Sequence, residues 1–578
     1  RAVAHGRDVN GGSADVPGFC YNIPFHMKER AMEWTKLRTI GEALPKTDAA
    51  GRPVLAAIAN NMVVPLTAPL IGTPDLKPLT RADAQGFEVD RNSLVFMLAK
   101  CANELFPRAT FRVRHSVGAA LWCTLEPERG AGGAAAQPLD PTALVARLRP
   151  AMAALQAADL PISVEPVSYG DAVALFTRLG RVDEVNLLRH RNPPVLPLSR
   201  CGDFRALNQT TLAPRTGVVG PYELVPVDDG LVLNVSSAEN PDVVEPLPYV
   251  EPYFKVFRRQ CARTAVTGVE TVGDLNQVIH ARRFDVFVRT VEALQTKELA
   301  GIADQIAARK PSARLVLLAG PSSAGKTTTA HRLCTQLRVN GMRPVLLSTD
   351  DYFVGDARNP RDADGNLDYE TVEAVDAERL AADLNALLAG RPVRLRKFDF
   401  LRHDGFDAAE ETQLDASGVV VLEGIHALNP RLTRGVADEL KFRIYLNALT
   451  QLVLDSCNRL SATDTRLLRR LVRDYNFRGC SPLKTFALWP NVVAGERKWI
   501  YPYQGRADAV FNSSLDYELA VLKSYAALLL NQVKPWDAAF LEARRLSGIL
   551  HNVTHAKADV VPGDSILRET IGGSQLSY

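Results

Sequence analysis

The spacing of apolar positions changes several times along the chain. The first fifty residues mix Gly, polar and charged side chains without a period and read as an irregular arm (1–50). From 54 to 59 an apolar run predicts a strand, Asn60-Asn61 a turn, and 62–66 a second strand broken at Pro65. The segment 51–91 therefore reads as a small β-rich module. Leu94, Met97, Leu98, Cys101 and Leu105 recur at helical spacing. A Gly/Ala tract over 130–137 reads as a surface insertion. Helices are predicted over 141–158 and 171–179, the second with Ala172, Leu175, Phe176 and Leu179 on one face. The stretch 193–252 is rich in strands and turns, with Asp228-Asp229-Gly230 as a hairpin turn. Helical spacing returns over 271–310.

From Arg314 onward short apolar runs alternate with amphipathic helices. Strands are predicted at Leu315–Ala319, 344–348, 418–422, 441–446 and Ala509–Asn512. This alternation implies a mainly parallel sheet covered on both faces, with chemistry at the C-terminal ends of its strands. After Pro535 one more helix is expected, then a polar end around Gly572-Gly573-Ser574 that should fray.

Composition narrows the class without choosing a function. The chain has 578 residues, 46% hydrophobic and 23% charged, which suggests about four domains and excludes collagen-like, disordered and disulfide-scaffold classes. Lys plus Arg is 68 and Asp plus Glu 65, a net +3, so overall charge makes no case for nucleic-acid binding. No apolar run is long enough to span a bilayer. Eight cysteines are scattered with no CxxC spacing, as expected for reduced, mostly buried thiols in the cytoplasm. No secretory leader is visible after Arg1.

The chemistry concentrates after residue 314. Gly320-Pro321-Ser322-Ser323-Ala324-Gly325-Lys326-Thr327 matches G-x-x-x-x-G-K-[ST] in full, follows a predicted strand and opens a predicted helix. Glycines let such a loop curl until its N–H groups point inward, and the helix N-terminus adds positive potential. Gly320, Ser322, Ser323, Ala324, Gly325, Lys326, Thr327 and Thr328 are therefore the expected cradle for the phosphates of ATP. Lys326 supplies a point charge, and the Thr327 hydroxyl suits Mg²⁺. Asp350, at the end of the next strand, is placed to take a proton from a hydroxyl or hold Mg²⁺ through water; the alternative is a cap or loop residue. Glu423 ends the buried strand near 418–422, where a lone carboxylate is costly, so metal support or a structural network is expected. Arg466, Arg469, Arg470 and Arg473 fall at i, i+3, i+4 and i+7, on one helix face. Four like charges need anions opposite. A transferring phosphoryl group supplies such charge, and a lid closing over it would exclude water; a solvated face or an RNA patch is the alternative.

Taken with these residues, 313–531 resembles the uridine–cytidine kinase group within the uridine kinase and phosphoribulokinase family. The resemblance implies an ATP- and Mg²⁺-dependent kinase that phosphorylates a nucleoside 5′-hydroxyl. Asp350 would be the base, and Lys326, Arg470 and Arg473 would serve catalysis. Thr327 and Glu423 would lie at the metal. Phe398 and His403, in Phe398-Asp399-Phe400-Leu401-Arg402-His403, would contact the base. Glu370 would hold ribose hydroxyls, and Arg478 would lie on the substrate side. Phe398 lacks the hydroxyl of the family's usual tyrosine, Glu370 replaces an aspartate, and Cys480 stands where an arginine is usual. A surface loop histidine remains the alternative for His403.

The N-terminal half resembles the front of a threonyl-tRNA synthetase. Residues 53–66 are similar to a TGS module, a β-grasp fold. Residues 111–123, with Arg114-His115-Ser116, resemble a helix of the editing domain, and 171–180 a later segment of it. The histidine expected four residues after His115 is Ala119, so His115 reads as structural or RNA-facing. The fold expected is α/β: a C-terminal P-loop kinase (296–534) with a mainly parallel sheet, preceded by a TGS module (51–91) and an α+β synthetase-like region (92–295). A helix and tail (535–578) follow. The order of these parts is a known architecture. It implies a nucleoside or similar small substrate, RNA contact through the N-terminal half and no membrane, and leaves oligomerisation open. A kinase of another hydroxyl compound, such as a sugar phosphate, and a nucleotide-switched RNA- or ribosome-associated regulator are the alternatives.

Overall fold

In the computed structural model the described residues are 38–576, apart from 73, 128–138, 228, 248–250, 310–312, 363–364, 366, 400–401 and 403, and the side chains of 251–257. His403, Asp228, the 130–137 tract and most of the N-terminal arm lie outside them. Among the described residues no helix is long and apolar enough to cross a membrane, and seven cysteines are free thiols.

Asn60 and Asn61 both take positive φ, 50° and 58°, as a two-residue hairpin loop needs and Asn tolerates. They join Ala56–Ala59 to Met62–Pro65, and Leu76–Leu79 completes a three-stranded antiparallel sheet. The following helix is Ala84–Leu105, so it begins well before residue 93 and runs through residue 91.

Residues 111–123 are not helical. They lie in two antiparallel strands, Ala109–Val117 and Ala120–Pro127, turned at Gly118 (φ 62°). The pattern Phe111-Arg112-Val113 alternates with period two, and buried Phe111 and Val113 face the core. Gly230–Val235 and Tyr222–Val227 extend the sheet to four strands.

The five strands expected after 314 are present as Leu315–Ala319, Arg343–Ser348, Gly418–Glu423, Lys441–Asn447 and Ala509–Asn512. They form one wholly parallel sheet, with the strand of 343–348 at one edge and that of 509–512 at the other. Leu315–Ala319 is central, between 418–423 and 441–447, and is buried along its whole length. Gly320 therefore starts its loop at the middle of the C-terminal edge.

The two halves share a core. Phe176, Leu187, Leu188, Leu196 and Leu198 from the N-terminal half join one apolar cluster with Val272, Leu275, Val288 and Val291 and with Val316 and Leu318 of the central strand. Helix Phe284–Ala308 runs through residue 295 inside that cluster. A core continuous across the expected edge opposes independent motion of the halves.

A second contact is polar. His115 is 6% exposed and meets Gln451 Oε1 at 3.2 Å through Nε2. Burial lowers its pKa to about 3, so it stays neutral and faces protein rather than solvent. Glu184 and Asp455, also buried, approach one another from the two halves. Burial raises both carboxyls; the Asp183 charge adds to it at Glu184, and the Glu184 charge adds to it at Asp455, which reaches about 7. A folded pKa above the unfolded value means that the native state binds more protons, so this pair lowers stability as pH rises from about 4 to 7. Glu184→Gln is expected to raise Tm by roughly a few degrees at pH 8, with the gain shrinking towards pH 4. Melting curves across that range check it.

Among the described residues, the polar end around Gly572-Gly573-Ser574 does not fray. Helix Phe540–His551 leads to a segment in which Ser565, Ile566 and Leu567 are at most 2% exposed. Arg568 donates to the carbonyls of Ala558, Val561, Pro562 and Gly572 and holds the segment in a knot. Ile566, Leu567 and Ile571 are apolar anchors in the shared core, and they outweigh the flanking glycines.

Candidate active site

The loop after Leu315–Ala319 is built by close approaches. A Cβ on Gly320 would sit 2.2 Å from the Leu446 carbonyl oxygen on the neighbouring strand. Ser323 and Gly325 take left-handed φ, 58° and 83°, which curls the loop into helix Lys326–Val339. Lys326 Nζ donates to the Pro321 carbonyl at 3.3 Å, which folds its charge back over the loop. The Ser323 hydroxyl is buried without a hydrogen-bond partner. An orphaned donor inside a curl of backbone N–H groups fits a phosphate oxygen.

The parallel register sets the carboxylates. Ser348 pairs with Glu423, and Glu423 with Leu318 two residues before Gly320. Glu423 is 5% exposed and accepts from Thr327 Oγ1 at 3.2 Å and Ser348 Oγ at 3.0 Å. Burial, then the neighbouring Asp350 charge, pushes its carboxyl up to about 7. Gly424 allows the adjoining turn to close, since a Cβ there would lie 1.8 Å from Thr349 Oγ1. Asp350 and Asp351 sit in the 3₁₀ turn Thr349–Tyr352. Asp351 pairs with Lys397 Nζ at 2.8 Å, whereas Asp350 stays beside Glu423 and Glu370. Among the described residues no three His, Cys, Asp or Glu side chains form a metal cluster. The Thr327–Glu423 oxygen pair suits Mg²⁺, which takes one or two protein oxygens and completes its shell with water and phosphate.

The arginine helix, Ala462–Arg478, corrects the expectation of four phosphate-facing guanidinium groups. Arg466 and Arg469 are each 2% exposed and are neutralised by the chain itself. Arg466 grips Glu496 through both oxygens, at 2.5 and 2.8 Å, and donates to the Ser322 carbonyl. Arg469 pairs with Glu518 at 2.5 Å and donates to the Ser513 carbonyl. Arg470 reaches the loop, donating to Ser322 Oγ at 2.8 Å. Arg473 and Arg478 turn towards Asp474, at 2.8 and 3.7 Å. Leu467, Leu468 and Val472 are fully buried, so this is a seated helix rather than a free flap.

The sequence pattern of the Phosphoribulokinase / Uridine kinase family matches residues 315–520, which are the segment that builds this site. A uridine kinase of Deinococcus deserti is 32% identical over 165 residues, 28% of this chain and 70% of that protein. The chain belongs to the phosphoribulokinase/uridine kinase family. The N-terminal region resembles part of a threonyl-tRNA synthetase. The threonine–tRNA ligase of Acidithiobacillus ferrooxidans is 31% identical over 192 residues, 33% of this chain and 27% of the ligase. A solved structure described as a possible uridine kinase from Bacillus stearothermophilus aligns over 37% of this chain and 100% of its own, at 24% identity and a TM-score of 0.25.

Glu370 lies near Lys326, Arg470 and Asp350. Burial is the main cause that pushes its carboxyl up to about 7. Phe398 is 7% exposed and meets Phe353 edge-on at 5.7 Å, so its ring belongs to the apolar floor with Tyr352 and Val372. Arg478 keeps a side chain 56% exposed.

Sequence reasoning missed three residues at this site. Glu496 accepts from the Ser322 backbone N–H at 3.0 Å as well as from Arg466. Its signal was present: Trp489, Val492 and Glu496 fall at helical spacing on one buried face of Pro482–Trp499. Ser348, which bonds Glu423, carried no motif. Glu569 of the C-terminal segment accepts from Thr328 Oγ1 at 2.9 Å, and nothing local in the sequence announces it.

Proposed function

We propose that the chain is an ATP-dependent nucleoside kinase of the uridine/cytidine type, transferring the γ-phosphoryl group of ATP to a 5′-hydroxyl. The arrangement that supports it most is the sheet edge where Lys326, Thr327, Asp350 and Glu423 meet in one parallel register. In this reading the backbone N–H groups of 320–328 hold the phosphates, with Ser323 Oγ as a further donor. Lys326 and Arg470 offset charge on the group in transfer, and Arg473 assists from the next turn. Asp350 takes the proton of the acceptor hydroxyl. Thr327 and Glu423 hold Mg²⁺, whose chemistry is to bridge and neutralise phosphate oxygens. Glu370 binds ribose hydroxyls, Phe398 and His403 contact the base, and Arg478 serves on the substrate side.

The domain division proposed with it is a TGS-like module over 51–91, a synthetase-like region over 92–295, the kinase over 296–534 and a C-terminal element over 535–578. RNA contact through the N-terminal half is the lesser proposal. His115 does not serve it, because that ring is spent on Gln451 inside the protein.

A turnover screen with ATP, Mg²⁺, a panel of nucleosides and a set of sugar phosphates tests the reading. Phosphorylation of a pyrimidine nucleoside is expected. Turnover confined to sugar phosphates would move the acceptor class, and ATP binding without turnover on any hydroxyl would favour a nucleotide switch. Salt-dependent RNA binding by the full chain is the measurement for the lesser proposal.

A further inference from the structure

The C-terminal segment enters the phosphate site from the side of Thr328. Thr328 is fully buried in the first turn of helix Lys326–Val339, and its hydroxyl donates to Glu569 Oε2 at 2.9 Å. Three residues earlier in the segment, Ile566 covers Gly325: a Cβ on that left-handed glycine would lie 2.3 Å from Ile566 Cγ2. Two successive parts of the loop, the curl and the start of its helix, are thus touched by one stretch of chain more than two hundred residues away in sequence.

That stretch is fixed in place. Ser565 meets the buried Tyr517 hydroxyl at 3.1 Å. Asn476 of the arginine helix donates to the Thr570 carbonyl at 3.3 Å. Arg568 ties the backbone on either side of Glu569, through Val561 and Gly572. Ile566 and Leu567 are buried, but Glu569 itself is only half-buried. The main chain is therefore anchored on both sides of a carboxylate that is itself partly open to solvent.

A carboxylate and a phosphate oxygen ask the same thing of a buried hydroxyl, one charge-assisted hydrogen bond. They also repel each other at contact distance. We propose that Glu569 is a built-in competitor of the nucleotide: its carboxylate occupies the anion position on Thr328 and must be displaced for a nucleotide phosphate to use that hydroxyl. The C-terminal segment then sets nucleotide affinity, and Ile566 keeps the competitor in register with the loop. The inference rests on the reading of 320–328 as a phosphate cradle and adds to it a means of weakening that cradle. The same carboxylate stands near enough to Glu423 to disfavour its ionisation, so the competitor adds negative charge to a site already holding Asp350, Glu370 and Glu423.

Calorimetric titration of the full chain with ADP tests it. Glu569→Ala is expected to bind ADP about tenfold more tightly than the parent. Glu569→Gln, which keeps an acceptor but loses the charge, should fall between the two. In a Thr328→Val background Glu569→Ala should bring no further gain, because the shared hydroxyl is gone. Unchanged or weaker ADP binding in Glu569→Ala overturns the proposal, as does an equal gain without the Thr328 hydroxyl. If the alanine variant fails to fold, the Gln variant, of nearly the same shape, carries the comparison. Absence of nucleotide binding in the parent and every variant brings down the reading of the site itself. Binding at unchanged affinity brings down only the competitor.

Discussion

Asp350→Asn is expected to lower kcat by about 10²–10⁴-fold, the usual contribution of a positioned general base, while the protein folds normally and still binds ADP. The exchange is nearly isosteric, and Asp350 is only half-buried. Its contacts are light: its carboxylate accepts from the Thr349 hydroxyl at 3.3 Å, and its backbone N–H donates to Ser348 Oγ at 3.3 Å. The substitution also removes a negative charge beside Glu423, which eases ionisation of that carboxyl. Because a carboxylate there also suits Mg²⁺ held through water, loss of turnover reports on proton transfer where Mg²⁺–ADP affinity is unchanged. Steady-state phosphotransfer with the best acceptor, set beside ADP titration, separates the two. If Asp350→Asn kept full kcat, Asp350 would not be the base, whatever the acceptor.

The largest effect on stability is expected from Glu496→Ala. Glu496 is fully buried, and it both neutralises Arg466 and accepts from the Ser322 N–H. Removing it leaves a 2%-exposed guanidinium without an acid. Breaking a buried ion pair on one side costs about 3–5 kcal/mol, a large part of the roughly 5–15 kcal/mol that holds a folded protein together. The Arg466→Met/Glu496→Leu double variant should regain much of that loss, because a buried pair is often replaceable by apolar side chains of similar volume. Urea midpoints of the three proteins check this. Equal midpoints for Glu496→Ala and the parent would mean that the pair contributes nothing. The double variant should still bind nucleotide less well, since Ser322 loses the carboxylate that holds its N–H and the guanidinium that holds its carbonyl.

These two expectations draw on different kinds of legibility. Asp350 was readable because its place depends on local order: an apolar strand of period two, a turn, and a neighbouring strand that carries a glycine-rich loop. Parallel strands of the same sheet put such turns on one edge whatever the rest of the chain does. All five strands were found for the same reason. Glu496 was half readable, since its helical spacing with Trp489 and Val492 placed it on a buried face, but not which cation it would meet. The roles of Arg466 and Arg469 were misjudged because their partners, Glu496 and Glu518, lie 30 and 49 residues on. No spacing rule on one helix can see an acid delivered by another. The segment 111–123 was misjudged when a family likeness was allowed to outweigh its own period-two pattern.

The sequence by itself determined the phosphate loop, the parallel sheet and the carboxylates at its edge, because each is set by interactions within a few residues or by the alternation of buried strands. Only the tertiary structure decided that Arg466 and Arg469 are spent on Glu496 and Glu518 while Arg470 reaches the Ser322 hydroxyl. It also decided that the two halves share one core, that His115 is turned inward onto Gln451, and that Glu569 reaches Thr328. Those outcomes depend on which side chains long-range packing brings within hydrogen-bond distance. That is fixed by the burial of apolar surface summed over the whole chain, not by any local pattern.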